Sequence, residues 1–204
     1  GNGNRSVTFT DFKGRVICQR KTGATDLATD RRDTYTHYDN KNRVTKVIPP
    51  GATATTTPEL VFEYKYDNED KLIEKKIPGK GWIKYQYNSK DLLAAEQDAN
   101  HLAINRWTIY GYDANGRSLK SGYFDGTTPS VDNPTFTNAT TYTESIYGTT
   151  GIERDKVKTS KVKILGTTAD YINTTYTYDN RGRVQSYTAN NHKNLAAADV
   201  TTIS

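Results

Sequence analysis

The chain has 204 residues, a hydrophobic content of 34% and a formal net charge of +5. No run of the sequence reaches the roughly 18 apolar residues that a membrane helix requires, which argues against membrane insertion. The 15 tyrosines offset the low aliphatic content, because each ring has a large apolar face and a polar tip. Tyr, Thr and Val favour strands, so we expect an all-β chain with a thin, tyrosine-lined core.

A short pattern recurs along the chain. Alternating strand residues lead into a polar turn opened by Asp or Asn, and an apolar strand follows. Phe62–Ile73 shows it plainly, because Tyr64 and Tyr66 alternate with polar residues before Asp67 opens the turn. We number positions from the turn-opening residue D, with Tyr at D−1 and D−3, Gly at D+3 and a base at D+4. The turns open at Asp11, Asp39, Asp67, Asn88, Asp113 and Asp179.

The spacing predicts tandem β-hairpins that form one curved, twisted and spiralling antiparallel sheet. We expect them around residues 8–20, 34–48, 61–77, 82–97, 107–121, 141–153 and 171–188. The hairpin at 141–153 is a decayed copy around Tyr147, which has the Tyr and Gly offsets but lacks Asp and a base at the expected offsets. All of them are assigned to a single repeat region spanning 1–204.

Each position of the pattern has a physical reason. Asp or Asn at D can accept backbone N–H groups inside the turn, and Gly at D+3 tolerates a positive φ. A base at D+4 can lie against a tyrosine ring of a neighbouring strand. The residues expected to carry this structural motif are Tyr38, Asp39, Arg43, Tyr64, Tyr66, Asp67, Lys71, Tyr85, Tyr87, Tyr110, Tyr112, Asp113, Gly116, Arg117, Tyr176, Tyr178, Asp179, Gly182 and Arg183.

Two stretches are predicted linkers. Residues 49–58 begin with Pro49 and Pro50 and end at Pro58, so they cannot continue a central strand. Residues 122–140 are the longest irregular stretch, and loops of that length often carry contacts. Between the linkers, residues 92–104 are rich in helix formers. The repeat register predicts a returning strand over 92–97 and a short helix near 98–105.

The residues with reactive chemistry are scattered. His37, His101 and His192 stand in different repeats with no metal-ligand spacing, and Cys18 is the only cysteine. Neither a Gly-x-Ser-x-Gly elbow nor a phosphate-binding Gly motif occurs. We therefore expect no enzyme activity, metal or cofactor. The bases at D+4 account for the excess positive charge. They are spread one per hairpin and need not form a basic patch, which argues against nucleic-acid binding.

Trp82 and Trp107 each lead into a tyrosine-rich strand. Packing between hairpins explains them most simply. A functional alternative is that they form a ligand platform for a sugar ring or a partner surface.

The repeated pattern resembles the YD repeats of Rhs-type proteins. Tyr110–Arg117 and Tyr176–Arg183 match Tyr-x-Tyr-Asp-x-x-Gly-Arg in full, and Tyr38–Arg43 and Tyr64–Lys71 match it more loosely. The resemblance implies a β-ribbon that spirals into a hollow shell. In bacterial members such shells enclose a toxic C-terminal domain, and in related eukaryotic cell-surface proteins they serve adhesion. No Asp-Pro dipeptide occurs in the chain, so the family's self-cleavage motif is absent from it.

The resemblance therefore implies a non-catalytic wall segment of a larger secreted or surface-displayed protein. Its partners would be other repeats of the same parent chain and an enclosed toxin domain. The alternative is an adhesion module that binds a surface carbohydrate or protein through exposed Tyr and Trp.

An open hairpin ribbon leaves unpaired strand edges, which pair readily with other edges. We expect the isolated chain to self-associate as its concentration rises. Sedimentation velocity over a hundredfold concentration range measures this directly. A strictly monomeric profile at the highest concentration would contradict it.

Overall fold

A computed structural model of the chain describes residues 5–23, 30–137, 140–164, 171–190 and 198–202. The strands lie in two compact units, residues 1–85 with 98–100, and residues 86–97 with 101–204. The assignment of all repeats to a single region stays a prediction.

The first unit is a run of antiparallel hairpins in which each strand pairs with the next along the chain. A 3-10 helix at Pro58–Leu60 precedes the fifth strand. The strands are β1 (Arg5–Thr10), β2 (Val16–Thr22), β3 (Arg31–Tyr38), β4 (Val44–Ile48), β5 (Phe62–Tyr66), β6 (Leu72–Ile77) and β7 (Gly81–Tyr87), whose last two residues belong to the second unit.

The second unit continues in the same way, with consecutive strands paired antiparallel. Its strands are β8 (Leu93–Gln97), β9 (Arg106–Tyr112), β10 (Ser118–Asp125), β11 (Thr141–Tyr147), β12 (Val157–Lys163), β13 (Tyr171–Tyr178), β14 (Val184–Asn190) and β15 (Ala198–Thr202). The short helix α1 (Ala99–Ala103) lies within the predicted range of 98–105. The all-β hairpin fold and this helix are confirmed.

The decayed hairpin extends further than predicted. Its second strand, β12, begins at Val157 rather than before residue 153. The turn between β11 and β12 is longer than the others and contains a 3-10 helix at Gly151–Glu153.

The core of the second unit is a small buried cluster of Ala95, Trp107 and Ile109, with Phe124 and Phe136 packed against it. Strand pairing builds the cluster, because Ala95 lies opposite Ile109 and Trp107 lies opposite Phe124. Opposite residues of an antiparallel pair share one face of the sheet.

Part of the predicted linker 122–140 covers this cluster. Residues 122–125 belong to β10, and the described stretch that follows, 126–137, is held to the unit at two points. The Trp107 indole N–H donates to the carbonyl of Thr127 at 3.3 Å. The Ser89 backbone N–H donates to the carboxylate of Asp132 at 2.8 Å. The stretch is therefore a folded strap rather than a free connection.

Gly111 shows how closely the strap sits. A Cβ atom built at this position would lie 2.9 Å from the ring of Phe136 and 3.8 Å from Pro134. Only glycine leaves room for the phenyl ring at this point of β9.

We expect Gly111→Ala to lower the free energy of unfolding by about 1–3 kcal/mol, because the added methyl group displaces Phe136. In a Phe136→Ala background the same change should cost little, since the ring is gone and alanine suits a strand better than glycine. Urea denaturation of both single variants and the double variant measures the coupling. If the losses of the two single variants simply add in the double variant, the Phe136 ring is not the reason why position 111 is glycine.

Candidate functional site

The turns are closed by a common pair of backbone hydrogen bonds. The Asp39 N–H donates to the Arg43 carbonyl at 2.9 Å, and the Asn42 N–H donates to the Asp39 carbonyl at 3.2 Å. Position D+3 has a positive φ, 66° at Asn42, 80° at Gly116 and 76° at Gly182, which explains the Gly and Asn found there. The same pair of bonds closes the turns that open at Asp11, Asp67, Asn88, Asp113 and Asp179.

The side chain at D caps the turn from inside. One oxygen of Asp39 accepts the backbone N–H groups of Lys41 and Arg43 at 2.9 Å each. The other oxygen accepts the Arg43 guanidinium Nε–H at 2.7 Å. All three contacts recur at Asp11, Asp113 and Asp179. Asp67 and Asn88 make the two backbone contacts.

At Asp11, Asp39, Asp113 and Asp179 these contacts favour the ionised form of the carboxyl, and the pKa is lowered. Burial by itself would raise the pKa of Asp39, but the hydrogen bonds from the backbone and guanidinium of Arg43 outweigh it, and the pKa lies below its ordinary value. At Asp179 the backbone N–H of Arg183 is the largest influence, and it lowers the pKa against the opposing effect of burial. The pKa values of Asp11 and Asp113 are lowered as well.

A base and a tyrosine link several of the turns to the next turn along the chain. The Arg43 guanidinium lies over the Tyr66 ring, 4.6 Å from its centroid. It also donates to the Asp67 carbonyl at 3.2 Å and to Asp70 at 2.5 Å. In return, the Tyr66 hydroxyl donates to the Val44 carbonyl at 2.9 Å. The D+4 base of one turn therefore binds the backbone of the next hairpin at D, and the D−1 tyrosine of that hairpin binds the backbone of the first at D+5.

The same link recurs in both units. Base-to-ring distances are 4.8 Å for Arg15 over Tyr38, 4.3 Å for Arg117 over Tyr147 and 5.6 Å for Lys156 over Tyr178. The hydroxyls of these tyrosines donate to the carbonyls of Val16, Ser118 and Val157 at 3.0, 3.0 and 2.6 Å. We call the pairs Arg15–Tyr38, Arg43–Tyr66, Arg117–Tyr147 and Lys156–Tyr178 the Tyr–base ladder.

Lys156 is the ladder residue that the sequence pattern missed. The Gly148 N–H donates to the Lys156 carbonyl at 2.9 Å, so Gly148 takes position D and Lys156 takes position D+4. Asp155 has the positive φ of position D+3, at 64°. The extra residues between Gly148 and Asp155 moved the base out of the expected register. The run Asp155-Lys156-Val157 resembles Asn42-Arg43-Val44, and that likeness could have identified it.

The remaining predicted tyrosines and Lys71 lie beside the ladder. The Tyr112 hydroxyl donates to the Leu93 carbonyl at 2.7 Å, although its partner turn has leucine in place of the base. Tyr110 donates to Glu96 at 2.8 Å, Tyr64 lies 5.9 Å from the Lys75 ammonium, and Tyr176 packs on Tyr187 at 6.3 Å. Tyr85 and Tyr87 are half-buried, and Lys71 pairs with Glu69.

The two tryptophans do not form a shared platform. Trp107 is only 4% exposed and lies in the buried cluster, so its ring offers no face to a ligand. Trp82 is half-buried, and the ammonium groups of Lys65 and Lys76 lie 4.4 and 6.0 Å from its ring. A sugar ring stacked on Trp82 would have to displace Lys65.

The turn-opening carboxylates and the bases of the ladder make hydrogen bonds and ion pairs within the fold. Within the described ranges, no group of three or more His, Cys, Asp or Glu side chains could hold a metal ion. His192 lies outside the described residues. Among the residues described, no helix has the length and apolar character to cross a membrane. At the turns, the carboxylates, bases and phenols bind one another and the backbone.

Known structures share the fold of this chain. The crystal structure titled TcdB2-TccC3-Cdc42 matches 97% of the chain with a TM-score of 0.59 at 13% sequence identity. The crystal structure of TcdB2-TccC3 matches 91% of it with a TM-score of 0.57 at 16% identity. A structure of the Photorhabdus luminescens Tc holotoxin pore, with a mutation in TccC3, matches 98% with a TM-score of 0.55 at 13% identity.

The chain spans about a tenth of the length of those proteins, 12%, 11% and 12% respectively. No family model matches the chain. No curated protein matches it by sequence. The likeness confirms the YD-repeat resemblance at the level of the fold.

The lowered carboxyl pKa values predict how stability depends on pH. A folded-state pKa below the unfolded value of about 3.9 contributes stability that is complete above pH 4 and is lost as the pH falls through the folded value. We expect the urea midpoint to change little between pH 7 and 5 and to fall steeply below pH 4.

Asp39→Asn should lower the midpoint at pH 7, and its difference from the unmodified chain should shrink as the pH falls below about 4, because the unfolded chain then takes up a proton at Asp39 before the folded chain does. Glu59→Gln, on the exposed 3-10 helix, is the matched control and should follow the unmodified chain. A deficit for Asp39→Asn that is equal at pH 7 and pH 3 would contradict the assignment.

Proposed function

We propose that this chain is a non-catalytic structural segment of a YD-repeat β-shell in a larger secreted toxin-complex protein. The Tyr–base ladder is the observation that carries the proposal. Each of its bases and phenols, from Arg15 to Tyr178, holds one hairpin to the next, and this is the task of a wall. The fold shared with TcdB2-TccC3 structures supports the same role.

The shell would enclose and present a domain supplied by the same parent protein. A wall needs hairpins of uniform register, because a slipped strand turns its inner face outward. The ladder enforces that register from the exposed edge. This leaves the faces of the strands free to vary, as the differing residues on β5 and β9 show. The neighbours of the segment in the shell would be other repeats of the parent chain.

The test removes one pair of the Tyr–base ladder from the larger protein that carries this segment. With Arg43→Leu and Tyr66→Leu combined, we expect the enclosed domain to become sensitive to protease while the protein still assembles, because one hairpin junction opens. Gel filtration reports assembly, and timed proteolysis with detection of the enclosed domain reports protection. Lys13→Leu with Tyr35→Leu is the matched control, since both side chains lie outside the ladder.

Unchanged protection of the enclosed domain from protease in the Arg43→Leu, Tyr66→Leu variant would contradict the shell role. The adhesion alternative makes a separate prediction, which is binding of a carbohydrate or surface protein that Trp82→Ala abolishes. That result, with unchanged protection, would replace the shell proposal with adhesion.

A further inference from the structure

Position D+3 holds two kinds of residue on the same backbone conformation. Gly116 and Gly182 have φ of 80° and 76° there. The residues other than glycine at this position are Asn42, Asp70, Asp91 and Asp155, with φ of 66°, 70°, 60° and 64°. Glycine adopts a positive φ freely, whereas Asn and Asp adopt it at a cost in free energy. We therefore expect a side chain at D+3 to make a contact that offsets this cost.

That contact is a hydrogen bond from the arginine at D+4 of the preceding turn. In each case a terminal nitrogen of the guanidinium donates to the side-chain oxygen at D+3 of the next turn. The pairs are Arg15 with Asn42 at 2.8 Å, Arg43 with Asp70 at 2.5 Å and Arg117 with Asp155 at 2.7 Å. Asp70 also binds the Lys41 ammonium at 2.7 Å. Each arginine at D+4 whose following turn is described has such an acceptor.

The two glycines at D+3 follow turns that have no arginine at D+4. Leu92 occupies that position before Gly116, and Lys156 occupies it before Gly182. A Cβ atom built at Gly116 would lie 3.4 Å from Cδ1 of Leu92, and one built at Gly182 would lie 2.9 Å from Nζ of Lys156. The D+4 side chain meets D+3 of the next turn here too. However, Leu92 has no donor to offer, and Lys156 leaves no room for a side chain.

The chemistry of arginine explains the pairing. The Nε–H of Arg43 is taken by Asp39 at 2.7 Å, and its side chain is only 21% exposed. The terminal N–H groups of the guanidinium remain, and an N–H group that is shielded from water costs free energy unless it finds an acceptor. The short side chain of Asn or Asp supplies an oxygen directly at D+3. Glycine supplies none.

We propose that Asn or Asp at D+3 is a specificity determinant that selects arginine at D+4 of the preceding hairpin. Asn42, Asp70 and Asp155 have this role. The hairpins are then not interchangeable, because an arginine-bearing hairpin placed before a glycine at D+3 lacks its acceptor. The inference goes beyond the shell role, since it concerns how neighbouring hairpins are matched and holds whatever the sheet encloses.

A double-mutant cycle on Arg117 and Asp155 tests the pairing by thermal unfolding. Arg117→Leu introduces the residue type that Leu92 already provides before a glycine. In that background Asp155→Gly should raise Tm by about 2–4 °C, because glycine removes the cost of the positive φ and no guanidinium loses an acceptor. In the unmodified chain the same change should bring no gain. Asn105→Gly is the matched control, with a φ of 50° outside the D+3 positions, and should act equally in both backgrounds.

The reverse experiment builds a new pair at a junction that lacks one. Gly116→Asn should lower Tm in the unmodified chain, because asparagine takes the φ of 80° at a cost. In a Leu92→Arg chain the same substitution should cost at most half as much, since the new guanidinium finds an acceptor. Gly14→Asn is the control, with a φ of 77° and no atom within 4 Å of the added Cβ, and should cost the same in both chains.

Either experiment can overturn the proposal. Equal effects of Asp155→Gly in the two backgrounds would do so, as would a loss from Gly116→Asn that Leu92→Arg leaves unchanged. If Arg117→Leu does not fold, the cycle of Arg15→Leu with Asn42→Gly makes the same comparison in the first unit. Protease protection of the enclosed domain is a separate readout, so the shell role and this inference can fail independently.

Discussion

The contact between a base at D+4 and the tyrosine that precedes the next turn is the interaction on which the rest of the structure depends. It has two parts that require each other. The hydrogen bond to Asp39 orients the guanidinium of Arg43, which lies over the ring of Tyr66. The Tyr66 hydroxyl then reaches back to the Val44 carbonyl. Hairpins joined by such a contact are thereby fixed to the next at the turn as well as along the strands.

The thin core explains why this edge matters. The buried hydrophobic residues described are few, namely Cys18, Ile48, Val61, Ala94, Ala95, Trp107 and Ile109. Backbone pairing alone leaves a sheet with exposed faces weakly specified in register. Within each unit, the ion pairs and cation–π contacts at the turns supply specificity where burial supplies little. Individual surface pairs contribute little to stability. Here, however, the guanidinium groups of Arg15, Arg43 and Arg117 each bind the turn-opening carboxylate and also lie over a tyrosine ring.

The repeat pattern of the sequence predicted the hairpins, because turn-opening Asp and alternating tyrosines act locally. It also predicted that a base could meet a ring of a neighbouring strand. It did not predict that the strap after Asp125 folds over Trp107, since that contact depends on a glycine at position 111 and a phenylalanine far from it in sequence. The sequence pattern also admitted Trp107 as a ligand platform, because spacing alone does not show which face of β9 is covered.

The long turn between β11 and β12 shows which parts of the repeat are constrained. Extra residues enter between Gly148 and Asp155, and the turn-opening Asp is lost. Yet the Lys156 ammonium still lies over the Tyr178 ring, and the Arg117 guanidinium still lies over the Tyr147 ring. The turn can lengthen because surface loops tolerate insertions. The tyrosine and the base cannot shift in the same way, because each contacts the adjacent hairpin. These contacts explain why both residues persist where the rest of the pattern has decayed.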